Sequence, residues 1–277
     1  MNGKFALAAM ISAIALGALP TAQAGTSDLE ADWSNANNPN GPWSLHQGNG
    51  VLPFEDSWPL IPGIAGWCTS GTGGPSLPIW FQSQIDGAVG FDWAADDVVV
   101  HTTDRANGAG NGSANVVWTS DVSGTAMISG GVWMGRDIGR GNDWFIYLND
   151  TLLTSGHIES GDPFSSANPF DFANGSAGAK AVHSVAISPC DTIKLELVRT
   201  TPAGDFVVVN ISIDEEGTLP PDCPADFGGN CDVGGDDLGH LLLEWGSKGS
   251  DADLTGDGTV NGADLGELLL AWGPCGT

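Results

Sequence analysis

The residues best suited to chemistry lie near the C-terminus, where oxygen-bearing side chains recur at short intervals. Their spacing in the segment 253–264 is that of an EF-hand calcium loop, which draws ligands from positions 1, 3, 5, 7, 9 and 12. Those positions hold, in order, Asp253, Thr255, Asp257, Thr259 through its carbonyl, Asn261 and Asp264. Gly258 occupies position 6, where such a loop turns sharply. Hard oxygen donors in a flexible loop favour Ca²⁺ over zinc or copper.

The same pattern occurs upstream at an offset of 27 residues, the separation of Asp226 and Asp253. An Asp-Leu-Gly segment, a triple leucine and a Trp-Gly pair all recur at that offset. A unit of this size cannot bury a core alone, so the repeat predicts two units that pack together.

The first loop, 226–237, is a degraded copy of the second. Its oxygen donors at positions 1, 5, 7 and 12 are Asp226, Asn230, the carbonyl of Asp232, and Asp237. Gly228 offers no side-chain oxygen at position 3, and Cys231 replaces the turn glycine. Whether this loop binds calcium is left open by the sequence.

A helix is predicted after each loop, because leucines and a tryptophan recur there at the spacing i, i+3, i+4 and i+7. In the second unit these are Leu265, Leu268, Leu269 and Trp272, and in the first they are Leu238, Leu241, Leu242 and Trp245. Each apolar stripe is predicted to be the packing face between the units.

Two such loops, each followed by a leucine-rich helix, resemble a dockerin domain over residues 222–277. Cys223-Pro-Ala-Asp at the start and Trp-Gly-Pro-Cys275 at the end are similar to the GC-type dockerins of exported bacterial proteins. The resemblance implies a calcium-dependent fold that attaches the chain to a cohesin-like module or another envelope or scaffold module.

Two features depart from that resemblance. Loop positions 10 and 11, Gly262-Ala263 and Gly235-Asp236, lack the polar contact residues that cohesin-binding dockerins usually present, and Cys231 is atypical. For the cysteines, a clasp between Cys223 and Cys275 would join the ends of the module. A bond between Cys223 and Cys231 is the alternative.

The N-terminus predicts export. Lys4 precedes the apolar run 5–19, and Ala22-Gln23-Ala24 is a signal-peptidase pattern, so residues 1–24 are predicted to be a signal peptide. The mature chain would then begin near Gly25, outside the cytoplasm, with no later membrane span. Five cysteines in an exported chain predict disulfides and one unpaired thiol.

The charge balance narrows the classes of partner. The sequence has 34 acidic residues against eight lysines and arginines, a net charge of −26. Such an excess repels phosphate backbones and anionic lipid surfaces. Nucleic acids and membranes are therefore poor partners.

Residues 25–214 are predicted to form an antiparallel β-sandwich, most consistent with a jelly roll, followed by a linker at 215–221. Short alternating runs predict strands, and in Thr192–Val198 the residues Ile193, Leu195 and Leu197 share one face. The other runs are 97–103, 115–121, 125–134, 143–148, 181–187 and 205–213.

Tryptophans suggest a ligand for the sandwich, which is loosely similar to carbohydrate-binding modules. Those on regular strands, Trp118, Trp133 and Trp144, are predicted to be buried. The less regular Gly/Pro-rich segment carries the candidates for an exposed platform that stacks on extracellular glycan, which are Trp43, Trp58, Trp67 and Trp80.

The sequence favours binding over catalysis. It contains no nucleophile elbow, zinc helix or phosphate loop, and its carboxylates stand in no recognisable acid/base motif. Its histidines are scattered singly, at His46, His101, His157, His183 and His240. The alternative hypothesis is a polysaccharide-degrading glycoside hydrolase that carries a dockerin tail.

Overall fold

A computed structural model describes residues 22–58, 63–69, 77–87, 89–104, 113–218, 223–228 and 231–275. The predicted signal peptide lies outside the described residues except for its last three positions. Ala22 to Ala24 begin the first strand and pair with Thr218 to Glu216. A chain cleaved before Gly25 would keep the other four residue pairs of this strand, through Asp28–Ser212.

Within the described residues, the strands form two large antiparallel sheets and one short pair. The first sheet contains β1 (Ala22–Asp28), β4 (Phe54–Glu55), β5 (Gly66–Cys68), β6 (Ile79–Gln82), β7 (Val98–His101), β9 (Ser123–Met134), β12 (Phe170–Asp171), β13 (Val185–Ile187) and β15 (Phe206–Thr218). The second contains β2 (Trp43–Gln47), β3 (Gly50–Val51), β8 (Ala114–Thr119), β10 (Gly141–Leu148), β11 (Thr151–Glu159) and β14 (Thr192–Arg199). The short pair consists of β16 (Asp232–Val233) and β17 (Gly273–Pro274).

Helices are short in the described part of the chain. They are α1 (Lys180–His183), α2 (Gly235–Leu243) and α3 (Gly262–Leu270), with a 3-10 turn at Phe172–Asn174. The predicted mainly β, antiparallel architecture is confirmed. We call residues 22–218 the sandwich and residues 223–275 the tail.

Strands that are distant in sequence lie side by side in both sheets. The first sheet runs β12-β9-β15-β7-β6-β5-β4, with β1 also on β15 and β13 also on β9. The second runs β11-β10-β14-β8-β2-β3. The longest pairing, β9 with β15, extends from Met134–Val207 to Ser123–Thr218.

The alternation in β14 produces the burial that the sequence predicts. Ile193, Leu195 and Leu197 are buried, whereas Lys194 and Glu196 on the other face are partly exposed. Side chains from both sheets meet in one apolar cluster, which includes Trp80 of β6 and Trp144 of β10. Burying such side chains contributes about 1.5–3 kcal/mol each and drives the sheets together.

The prediction for the strand tryptophans is confirmed, since Trp118, Trp133 and Trp144 are all buried. The prediction of an exposed platform is wrong. Its four members are between 0% and 5% exposed: Trp43, Trp58, Trp67 and Trp80.

The physical reason is that the Gly/Pro-rich segment contributes strands to the sheets instead of a surface loop. Trp43 lies opposite Trp118 across β2 and β8, and Trp67 lies opposite Trp80 across β5 and β6. The indole N–H of Trp67 donates to the Ser34 carbonyl at 2.8 Å. These indoles therefore form core and are not available to stack on a ligand.

Two predicted boundaries also differ from the structure. β15 continues to Thr218, four residues into the predicted linker, because Glu215 to Thr218 pair with Ala126 to Ser123 of β9. The predicted strand 181–187 is divided into α1 and β13. The remaining linker residues, 219–221, lie outside the described residues.

Candidate calcium loops and an exposed helical face

The second calcium loop is organised around its first and last carboxylates. Asp253 accepts hydrogen bonds from the backbone N–H groups of Asp257 at 3.1 Å and Gly258 at 2.8 Å. Asp264 accepts from the backbone N–H groups of Thr255 at 3.0 Å and Asn261 at 2.7 Å. These bonds wrap the backbone of the loop around the two carboxylates, which lie eleven positions apart in the sequence.

Local sequence explains this conformation. Gly258 has φ +94°, a backbone region that side chains disfavour, and it makes the turn at position 6. Asn261 is the N-cap of α3, and its side chain accepts from the backbone N–H of Ala263 at 2.8 Å. Asp264 completes a capping box at the start of that helix.

The donor set fits calcium in type, although it is not a preformed metal cage. Among the described residues, no three His, Cys, Asp or Glu side chains are arranged to hold a metal ion. The Thr255 hydroxyl donates to Asp264 at 2.9 Å, and the Asn261 amide donates to Asp257 at 3.0 Å. On binding calcium, the side chains would give up such internal hydrogen bonds and coordinate the ion instead. The groups that would hold it are Asp253, Thr255, Asp257, the Thr259 carbonyl, Asn261 and Asp264.

The first loop retains the same hydrogen-bonded frame at the offset of 27 residues. Asp237 accepts from the backbone N–H groups of Gly228 at 3.1 Å and Gly234 at 2.8 Å, matching the two backbone bonds to Asp264. Asp226 accepts from the backbone N–H of Cys231 at 2.8 Å, matching the bond from Gly258 to Asp253. The two loops thus resemble each other in conformation as well as in sequence.

Two of the predicted first-loop ligands are not tested by this frame. Asn230 lies outside the described residues, and the Asp232 carbonyl belongs to the short strand β16. Cys231 has φ +67° and so adopts the left-handed conformation usually reserved for glycine at position 6. This loop therefore bends as the second does, with a cysteine at its turn.

The disulfides explain why that cysteine is there. Cys223 bonds to Cys275, which is the end-to-end clasp and not the alternative pairing with Cys231. Cys231 instead bonds to Cys190 in the turn before β14, so the first loop is tied covalently to the sandwich. The unpaired thiol is Cys68, which is buried, and burial together with Glu55 raises its pKa to about 12.

Only part of each predicted helix stripe is buried. Leu241 and Leu268 are fully buried and pack with Val233 and Val260 in the tail's small core. The large apolar side chains at the end of each helix and just after it are 49–87% exposed, and we call them the twin apolar ridge: Leu242, Leu243, Trp245, Leu269, Leu270 and Trp272. The prediction that both stripes pack between the units is therefore wrong for Leu242, Trp245, Leu269 and Trp272. A nine-residue helix over so small a core has too little partner surface to cover them.

One acidic pair lies where the tail meets the sandwich. Burial, and then the charge of Asp121, raise the pKa of Glu215 on β15. Both residues line a cleft of about 650 Å³ between the modules, together with Asp226. Among the described residues that line this cleft there is no aromatic side chain, so it offers no platform for a sugar ring.

Protonation should weaken the tail only at low pH. The backbone N–H groups of Thr255 and Asn261 lower the pKa of Asp264 against the effect of burial. For Asp237, burial acts to raise the pKa, but the N–H groups of Gly234, Gly228 and Phe227 outweigh it and lower the pKa. Because both folded pKa values are depressed, their stabilisation is complete above the ordinary value of 3.8 and disappears as the pH falls through the folded values.

We therefore expect the chain in the presence of calcium to keep its helical circular-dichroism signal from about pH 7 down to about pH 4 and to lose it below. The double variant Asp237→Asn/Asp264→Asn should have a weaker signal at neutral pH and a flatter acid transition. Loss of the wild-type helical signal already near pH 5 would contradict this assignment.

In the part of the chain that the structure describes, no helix has the length and apolar character needed to cross a bilayer. A comparison with protein-family models, with curated proteins and with solved structures finds no match to this chain.

Proposed function

We propose that this chain is an exported, non-catalytic protein whose tail folds with calcium and attaches the molecule to a partner protein outside the cytoplasm. The twin apolar ridge is the observation that carries the proposal. The dockerin-like identity of the tail and the jelly-roll arrangement of the sandwich belong to the same proposal. The sandwich would be the module that the tail holds in place, and it would bind an extracellular polysaccharide or surface.

The ridge is unusual for so small a module. Leu243 and Leu270 are 87% and 83% exposed, and Trp245 and Trp272 are each about half exposed. Concentrated apolar exposure of this kind marks interaction surfaces. Tryptophan is also among the side chains that contribute most to protein–protein binding energy.

Calcium would act on the ridge through the loop that precedes each helix. In the second unit, the ligand Asp264 is also the third residue of α3 and closes its capping box. A cation held by Asp253, Asp257 and Asp264 would therefore fix the start of α3 and, with it, the direction in which Leu269 and Trp272 project. Attachment should depend on calcium for this reason.

Charge and composition define the partner. A net charge of −26 disfavours phosphate backbones and anionic lipids, so we expect a protein surface with an apolar centre and a neutral or basic rim. We propose as the partner a cohesin-like module or another envelope or scaffold module that presents such a surface. Because positions 10 and 11 of the loops, Gly262-Ala263 and Gly235-Asp236, offer few polar contacts, the leucines and tryptophans would supply most of the binding energy.

The test is capture of a partner followed by measurement with purified components. The immobilised full-length chain would be incubated, with calcium, with secreted and envelope proteins of the organism that makes it. A purified captured protein would then be titrated against wild type and Leu242→Gln/Leu269→Gln, in which glutamine preserves helix propensity. We expect the double variant to bind at least about tenfold more weakly.

A matched control is Leu152→Gln, because Leu152 is 49% exposed on β11 of the sandwich. It should bind like wild type, and chelation should abolish binding by both proteins. Calcium-independent binding, or equal affinity of the ridge variant and wild type, would refute the proposal.

A further inference from the structure

An aromatic cleft opens on the first sheet of the sandwich. None of the four buried tryptophans that the sequence favoured lines it, although the Trp58 ring packs behind it, 6.2 Å from the ring of Phe206. It has a volume of about 580 Å³, within the usual range for small-molecule sites. Its apolar lining includes four aromatic side chains, Phe81, Phe91, Trp93 and Phe206. Phe81 and Phe206 are buried beneath it, whereas Phe91 and Trp93 remain partly exposed.

The aromatic rings form one contiguous group. The ring centroids of Phe91 and Trp93 are 4.6 Å apart, and those of Trp93 and Phe206 are 5.3 Å apart. The guanidinium of Arg136 lies 5.0 Å from the Phe206 ring centroid and is paired with the buried carboxylate of Asp205. Arg136 therefore supports the ring group while its charge is already engaged.

The segment that carries Phe91 and Trp93 is held by hydrogen bonds to neighbouring strands. The backbone N–H of Asp92 donates to the Gly135 carbonyl at 2.8 Å, and the Trp133 indole donates to the Asp92 carbonyl at 2.7 Å. The backbone N–H of Gly87 donates to the Trp93 carbonyl at 2.8 Å. A site arranged before the ligand arrives loses less entropy on binding.

Polar side chains border the aromatic floor. They are Asn35, Gln82, Ser83, Gln84 and Asp86. No lysine, arginine or histidine is among the described residues that line the cleft. Together with the chain's net charge of −26, this disfavours an anionic ligand.

We infer that this cleft binds a neutral sugar ring of an extracellular polysaccharide. The C–H groups on a pyranose face carry slight positive charge and fit the electron-rich faces of Phe91 and Trp93. Its hydroxyls can bond to the side-chain amide and carboxylate groups at the border. A wholly apolar ligand would instead cover these polar groups without bonding to them.

This inference rests on the proposed binding role of the sandwich and gives that role a location. The probes are cellohexaose, xylohexaose and mannohexaose, titrated calorimetrically into the full-length chain. For the probe that binds, we expect Trp93→Ala to weaken affinity by about 10- to 100-fold, as for loss of one stacked ring. The control Tyr147→Ala, which removes a partly exposed ring from the second sheet, should bind like wild type.

Because Trp93→Ala also removes ring contacts beneath the surface, Gln84→Ala serves as a second variant. Gln84 is exposed, so its truncation should leave folding intact and weaken binding a few-fold. Unchanged binding by both variants would show that the sugar binds elsewhere. It would refute the cleft as the binding site while leaving the proposed function in place. Failure of wild type to bind any probe would overturn the sugar inference without affecting the tail's attachment test. Release of reducing ends would make the site hydrolytic and refute the proposal of binding alone.

Discussion

Replacing Asp264 with alanine is expected to weaken calcium binding by the full-length chain by about 100-fold or more. Position 12 of such a loop supplies the carboxylate that closes the cation's coordination. In this structure the Asp264 side chain is also buried and accepts the backbone N–H groups of Thr255 and Asn261. Alanine would remove both the ligand and the acceptor that shapes the loop.

The comparison variant is Asp226→Ala in the first loop. Asp226 occupies the same position there as Asp253 does in the second loop, but Gly228 leaves position 3 without a side-chain oxygen. The first loop is also tied to the sandwich through Cys231 and Cys190, whatever its metal content. We therefore expect Asp226→Ala to weaken total calcium binding much less than Asp264→Ala or Asp253→Ala. Calorimetric titrations that show equal losses would contradict this ranking of the loops.

Replacing Trp144 with alanine should destabilise the sandwich by about 3–5 kcal/mol. Trp144 is fully buried, and its ring lies 5.2 Å from that of Phe170 and 5.3 Å from that of Phe172. Two glycines allow this approach, since a Cβ added at Gly156 would lie 2.5 Å from the indole and one at Gly175 would lie 2.7 Å from it. Because both positions are glycine, neither has a side chain that could move into the space that alanine would leave.

Urea unfolding followed by far-UV circular dichroism would measure this loss. The control is Trp245→Ala, because Trp245 is 49% exposed on the tail and should change stability by about 0.5 kcal/mol or less. Calcium affinity should be unchanged by Trp144→Ala, since the residue lies in the sandwich. A loss below about 1 kcal/mol would show that Trp144 is not part of a close-packed core.

The sequence predicts burial correctly where burial follows from the alternation of apolar and polar residues within a single strand. The alternation in β14 identified Ile193 and Leu195 as core residues, and the structure buries both. It could not predict the burial of Trp43 and Trp67, because their partners Trp118 and Trp80 come from other strands. Gly and Pro around those residues indicate turns but carry no information about which strands meet.

The same limit applies to the tail. Repetition at 27 residues located both loops, and the hydrogen bonds to Asp237 and Asp264 repeat at that offset. Helical periodicity did not predict that Leu269 stays exposed, because periodicity identifies a face but not the area available to cover it. The Cys190–Cys231 bond was also not foreseen, since it joins residues on opposite sides of the predicted linker.

That bond changes what calcium removal would do. The tail is joined to the sandwich at Cys231 as well as through the main chain, and its own ends are joined by Cys223 and Cys275. Both crosslinks restrict the unfolded tail and so stabilise the folded one. Chelation should therefore disorder the second loop and α3, while the first loop stays fixed beside the sandwich.

Calorimetric titration of the full-length chain with calcium, paired with far-UV circular dichroism before and after chelation, tests attachment by a calcium-folded tail most directly. We expect heat of binding from at least one site. Helical signal should be lost on chelation and restored by calcium, with the β-sheet signal unchanged. If calcium produced no heat and chelation left the spectrum unaltered, the loop at 253–264 would be an acidic turn and the attachment function would have no basis.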